Sequence, residues 1–173
     1  MKGINLIKTI FTELNEVSKN SVSIEWFVKT NSSWYGEFIV NEKTYHINFE
    51  VKSKFGCKYG TMKFGRNDLN DPYSLVGDNN KPLVIKSTVL EALNEFLSTI
   101  EIDAFIIKRN KGEKTMVEKY IKYLDMVKYK FGFIQLFEEK IGNYHYILIT
   151  KHKCIPILMD TEKMKKEVQS LID

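Results

Sequence analysis

The sequence predicts an α/β (α+β) domain: a mixed, mainly antiparallel sheet with a βαβ crossover and helices on both faces. Three stretches predict it. Residues 45–51 alternate strictly, with Tyr45, Ile47, Phe49 and Val51 set against His46, Asn48 and Glu50. Period two sends one set to a core and the other to water, as in a half-buried strand. Val89, Leu93, Phe96, Leu97 and Ile100 recur at helical spacing and form one apolar stripe. Ala104 to Ile107 is a continuous apolar run between Asp103 and Lys108. A strand that is apolar on both faces belongs in the middle of a covered sheet. A helix joining two such strands favours a parallel, right-handed crossover.

The elements follow in order. Ile4, Leu6, Ile7, Ile10, Phe11, Leu14 and Val17 predict an amphipathic first helix over 4–17. Strands are expected over 22–28, 34–40, 45–51 and 57–65, so residues 1–65 read as a helix plus an antiparallel meander. The last of these strands is the weakest, because Gly60 and Gly65 can mark a bulge. Residues 66–82 are rich in Asp, Asn, Gly and Pro and read as a long loop, of the length that often carries function. The stretch 83–150 reads as a βαβαββ half. Leu83 to Ile85 is expected to be a short strand leading into a helix capped by Thr88 with Glu91. Thr115 with Glu118 caps the next helix, whose apolar face is Met116, Val117, Tyr120, Ile121 and Leu124. Residues 130–137 and 144–150 are two strands joined by a turn at Gly142-Asn143. A C-terminal helix over 160–172 closes a single domain spanning 1–173.

Composition narrows the class. The chain has 173 residues, 43% hydrophobic and 28% charged, which suits one globular domain. The net charge of +4 is too small to argue for nucleic acid by itself. No apolar run is long enough to span a bilayer and the N-terminus carries no leader pattern, so a soluble cytoplasmic protein is expected. Cys57 and Cys154 match no metal or redox spacing and are expected to be two free thiols. No histidine spacing suggests a metal site. His46 sits on the polar side of its strand and reads as a solvated surface residue. His145, between Tyr144 and Tyr146, reads as sheet packing. The aromatics Trp26, Trp34, Tyr35 and Phe38 read as core residues and cross-strand pairs.

The order of the second half, with Asn110 after the central strand and Gly132-Phe133 after the second helix, resembles the GNAT superfamily of N-acetyltransferases. A more particular likeness is to small GNAT-like proteins encoded by bacteriophages. It rests on Gly77, Asn79, Thr88-Val89-Leu90 and Arg109. The resemblance implies a GNAT-like fold and acetyl-CoA as cofactor, with Gly77, Asn79, Ser87 and Thr88 as weak candidates to contact it. It also implies Asn110 beside the thioester, and Tyr120 or Tyr123 as the acid for the leaving thiolate.

The chain departs from the family at the crossover entrance. A GNAT enzyme cradles the cofactor's pyrophosphate on a glycine-bearing loop at a helix N-terminus. The equivalent segment, Lys81 to Val89, has no glycine and carries Leu83, Val84 and Ile85. The leading expectation is therefore a phage-encoded accessory or virion-associated protein with no cofactor. It would act through protein–protein contacts in the virion or host cytoplasm, with no catalytic residue committed. The alternative is an N-acyltransferase using acetyl-CoA. A third reading is a nucleic-acid binder through Lys108, Arg109, Lys111, Lys114, Lys119 and Lys122.

Overall fold

The computed structural model describes residues 20–54, 56–67, 81–110, 128, 130–141 and 144–151. Its strands are β1 (Glu25–Lys29), β2 (Ser33–Val40), β3 (Lys43–Lys54), β4 (Cys57–Arg66), β5 (Ala104–Asn110), β6 (Ile134–Ile141) and β7 (Tyr144–Thr150). They form one seven-stranded sheet in the order β1-β2-β3-β4-β5-β7-β6. Among the described residues only β4 and β5 run parallel; every other neighbouring pair is antiparallel. The mixed, mainly antiparallel sheet is thus present. Helix α1 (Pro82–Thr99) supplies the crossover that a parallel pair requires.

One sheet face packs on α1. Trp34 and Phe38 of β2, Tyr45, Ile47 and Phe49 of β3, Met62 of β4, Phe105 of β5 and Ile147 and Ile149 of β7 share its core with Ile85, Val89, Leu93 and Phe96. Aromatic rings set the geometry. Phe96 stacks on Phe49 with centroids 4.5 Å apart and meets Trp34 edge-on at 5.5 Å. The meander aromatics Trp34 and Phe38 are core residues as expected, and both are buried.

The opposite face divides into two halves. Around β4, β5 and β7 it is buried and largely apolar, through Tyr59, Ala104, Ile106 and Leu148. Central strand β5 is therefore covered on both faces at Ala104, Phe105 and Ile106, as its apolar run predicts. On β2 and β3 the same face is polar, carrying Tyr35, Glu37, His46, Asn48 and Glu50. Among the described residues α1 is the one long helix. The helices expected over 4–17, 115–124 and 160–172 lie outside the described residues.

Several expectations are corrected. Leu83 to Ile85 is not a strand: it is the first turn of α1, which starts with Pro82 at its first helical positions. Proline suits that place, because its missing N–H has no helical partner there. The apolar stripe extends one turn back from Val89 to Ile85. Thr88 therefore lies inside the helix and caps nothing. Its hydroxyl donates to the Val84 carbonyl at 2.9 Å and accepts the Val22 amide at 3.0 Å.

The strand expected over 130–137 begins at Ile134 instead. Residues 128, 130 and 131 are helical. Gly132 follows with φ +71, and the Phe133 amide reaches back to the Lys128 carbonyl at 3.0 Å. That is a left-handed glycine stop with its long closing hydrogen bond, so Gly132-Phe133 ends a helix before it opens a strand. Alternation in β1 also breaks: the register shifts between Trp26 and Val28, leaving Phe27 and Val28 exposed.

Gly60 marks no bulge, since β4 pairs with β3 without a register shift. Its purpose is space. A Cβ there would lie 2.7 Å from Ile102 Cδ1 and 2.8 Å from Phe105 Cδ2. Gly60→Ala is expected to cost about 1–3 kcal/mol through overpacking. A lower urea midpoint at unchanged slope would register it.

Cys57 is buried and disulfide-bonded, which corrects the expectation of a free thiol. The chain's other cysteine, Cys154, lies outside the described residues. No described helix is long and apolar enough to cross a membrane.

Candidate functional site

The parallel pair is the place where the sheet opens. β4 and β5 pair over four positions, from Tyr59 opposite Ala104 to Met62 opposite Ile107. Both strands then continue, β4 to Arg66 and β5 to Asn110. Beyond Met62 and Ile107 each follows its outer neighbour instead. β4 stays on β3 as far as Arg66 opposite Tyr45, and β5 stays on β7 as far as Asn110 opposite Tyr144. No pairing between 63–66 and 108–110 is found among the described residues. The sheet is therefore split along its middle at the carboxyl ends of its two parallel strands. Crevices at such ends are where α/β sheets receive ligands.

The split has a definite chemistry. Among the described residues, the inner edges of the split do not pair with each other, and each carries backbone N–H and C=O groups. A ligand with an extended amide-bearing chain could add to them as a further strand does. α1 follows β4 in sequence and returns to the start of β5. Its N-terminus therefore belongs at the same end of the sheet as the split. That terminus has no side-chain cap, and no acidic residue occupies its first turn. The Val84 and Ile85 amides both turn to the Lys81 carbonyl, at 3.0 and 3.3 Å. Lys81 itself has φ 21, a strained position for a residue with a side chain.

On the face opposite α1, a polar network lies beside the split. His46 of β3 pairs in register with Gly65 of β4, and Glu37 of β2 pairs with His46. Asn67 follows the last residue of β4 and is held to the start of β3 by its amide, 3.2 Å from the Thr44 carbonyl. Its side chain bridges two strands. Oδ1 lies 2.5 Å from His46 Nδ1, and Nδ2 donates to Glu37 Oε1 at 3.2 Å. Tyr35 Oη donates to the same glutamate oxygen at 2.7 Å. On the next row Asn48 donates to Glu50 Oε1 at 3.2 Å, while Asn48 Oδ1 is buried with no hydrogen-bond partner among the described residues. His46 is 6% exposed, so the expectation of a solvated surface histidine is corrected.

The candidates named from sequence are placed as follows. Asn110 ends β5 and Lys108 and Arg109 precede it, so all three belong to the inner strand of the split. Ser87 and Thr88 lie in the second turn of α1, both buried. Gly77, Asn79, Lys111, Lys114, Lys119, Tyr120, Lys122 and Tyr123 lie outside the described residues. The residues that sequence reading missed are Glu37, His46 and Asn67. The signal available is the polar side of β3, whose alternation predicts a solvent-facing row. No group of His, Cys, Asp and Glu suited to a metal ion occurs among the described residues. Comparison with protein-family models and with curated proteins gives no match.

Proposed function

We propose that this chain has a GNAT-like fold and is an N-acyltransferase that takes an acyl-CoA thioester into the split between β4 and β5. The observation that carries the reading is the split itself, in a sheet whose only parallel pair among the described residues is the pair that parts. The strand order β1-β2-β3-β4-β5-β7-β6 and the crossover helix between β4 and β5 support it. The glycine-free segment that spoke for a protein without cofactor is the first turns of α1, not a loop. Any phosphate-binding loop belongs before Lys81, where Gly77 and Asn79 stand in the sequence.

The residues present suit the pantetheine arm, whose two amides match the inner strand edges over 63–66 and 108–110, where β4 and β5 do not pair with each other. Bound there, the thioester would supply an activated acyl carbon. The resemblance puts Asn110 beside it, with Tyr120 or Tyr123 as the proton donor to sulfur.

Calorimetric titration with acetyl-CoA tests the reading. Binding in the micromolar range is expected, with weaker but measurable binding of pantetheine alone. Absence of heat with either ligand would overturn it. A second reading then takes its place: a phage-encoded accessory protein acting by protein contacts. The exposed Phe27, Val28 and Ile39 on β1 and β2 favour that one.

A further inference from the structure

We propose that Cys57 is cross-linked to Cys154, and that this disulfide clamps the closed end of the split by tying the start of β4 to the chain that leaves β7. The clamp is independent of what the split binds.

Elimination identifies the partner. Cys57 is disulfide-bonded. The sequence holds two cysteines, and the other is Cys154. The bond is therefore internal to one chain.

The sheet brings the two positions within reach. Cys57 opens β4 and pairs with Lys54 at the end of β3. It is buried on the same face as Tyr59, as strand alternation requires of residues two apart. Lys58, next in sequence, is held on Asp103 twice. Its amide donates to Asp103 Oδ2 and its carbonyl accepts the Asp103 amide, both at 2.8 Å. Lys151, three residues before Cys154, donates its amide to the Asp103 carbonyl at 2.8 Å. β4 and β7 both flank β5, so two strand spacings, roughly 10 Å, separate them. Three residues reach up to about 10 Å, and a disulfide joins Cα atoms about 4.4–6.8 Å apart. The step from Lys151 to Cys154 is thus long enough to close the bond on Cys57.

Position gives the bond its effect. The parallel pairing starts at Tyr59 opposite Ala104, next to this junction, and ends at Met62 opposite Ile107. Wider opening of the split is resisted at the closed end by the Asp103 hydrogen bonds, each of which water can replace. A covalent bond beside Lys58 has no such competitor. It also shuts a loop of roughly a hundred residues, and the entropy it removes from the unfolded chain grows with loop length. Burial of Cys57 shields its sulfur from thiols in solution, which suits a lasting bond and not a catalytic one.

Formation of the bond balances. One protein thiolate attacks a small-molecule disulfide such as oxidised glutathione, and one glutathione thiolate leaves. The second protein thiolate attacks the mixed disulfide at the protein sulfur and expels the other glutathione. The cysteine pair gives up two electrons, the glutathione disulfide gains them, and the two thiol protons end on the released glutathione.

Alkylation of the denatured chain without reductant, after exposure to oxidised glutathione, tests the pairing. No label is expected, and proteolysis should release one peptide pair joining Cys57 to Cys154. Labelling of both thiols overturns the proposal, and so does a Cys57–Cys57 bond between two chains. The clamp is read separately, on the wild-type chain with and without reductant. Reduction is expected to lower the folded-to-unfolded ratio about a hundredfold or more, measured as a lower urea midpoint. Hydrogen exchange at the Lys58, Asp103 and Lys151 amides should rise about tenfold more than at the Ile100 amide, which is bonded to the Phe96 carbonyl at the end of α1. Cys154→Ser should reproduce the reduced chain in both readouts. An unchanged midpoint, or exchange that rises equally at all four amides, overturns the clamp.

Discussion

Phe96→Ala is expected to lower the unfolding free energy by about 3–5 kcal/mol. The ring is fully buried, at 0% exposure, and sits where α1 meets the start of β2 and the middle of β3. It stacks on Phe49 and meets Trp34 edge-on, and Trp34 in turn meets Trp26 at 5.2 Å. Truncation removes the transfer free energy of a benzyl group and leaves a hole that two rigid neighbours cannot fill by turning. Trp34 is further held by its indole N–H on the Thr30 carbonyl at 2.9 Å. Relaxation is therefore limited, which places the cost toward the upper end. Phe96→Leu retains most of the volume and should recover more than half of the loss. Urea unfolding followed by tryptophan fluorescence measures both. A loss below about 1 kcal/mol for the alanine variant would mean that α1 is not seated on this face.

The fold was legible wherever period and burial coincide. β3 announces itself because Tyr45, Ile47 and Phe49 are buried on one side while the other side is polar. The middle of β5 does so because Ala104, Phe105 and Ile106 are buried on both sides. Errors arose at element ends. Thr88 and Glu91 make a capping pattern of two residues, which recurs by chance. Against it stood Pro82 and an apolar stripe that already included Ile85, and the longer pattern prevailed. Gly132-Phe133 falls inside the strand expected over 130–137 because the sequence shows a glycine but not its φ. A left-handed stop looks the same, in one dimension, as a strand-breaking glycine.

The candidate site was less legible, for a different reason. A split is the absence of pairing between two strands that are separated by α1, and no local pattern encodes an absence. The network shows the same difficulty. His46 meets Asn67 across 21 residues, and Asn67 meets Glu37 across 30. Alternation did place His46 away from the apolar core of β3. It equated that face with water, which holds for most half-covered sheets. Here the polar side chains of β2 and β3 bond to each other through Asn67, just after β4, and His46 is buried among them.

Removing the Asp103 carboxylate should cost about 1.5–3 kcal/mol. Asp103 is 3% exposed and ties together the closed end of the split, before the four paired positions of β4 and β5. Its Oδ2 accepts the Lys58 amide at 2.8 Å, and its own amide donates to the Lys58 carbonyl at 2.8 Å. Its carbonyl accepts the Lys151 amide at 2.8 Å and the Thr150 hydroxyl at 3.2 Å. One residue thus joins the ends of β4, β5 and β7, so that the sheet parts at one end only. Asp103→Ala loses the charge-assisted bond to Lys58; Asp103→Asn keeps an acceptor and should lose less.

Tyr59 gives a second readout of the same contact. Burial, and after it the nearby Asp103 carboxylate, raises the Tyr59 phenol above its ordinary value of 10.0. A group raised in the folded state contributes stability that is fully present below the unfolded value. It is lost as pH climbs from about 10 through the raised folded value. The wild-type chain should therefore weaken progressively above about pH 10. In Asp103→Asn the phenol is expected to titrate lower than in the wild type yet still above its ordinary value, because burial, the larger cause, remains. An NMR titration of the Tyr59 ring follows this directly. A Tyr59 titration unmoved by Asp103→Asn would show that the carboxylate does not act on the ring. A fall to the ordinary value would show that the variant had opened the closed end and let water in.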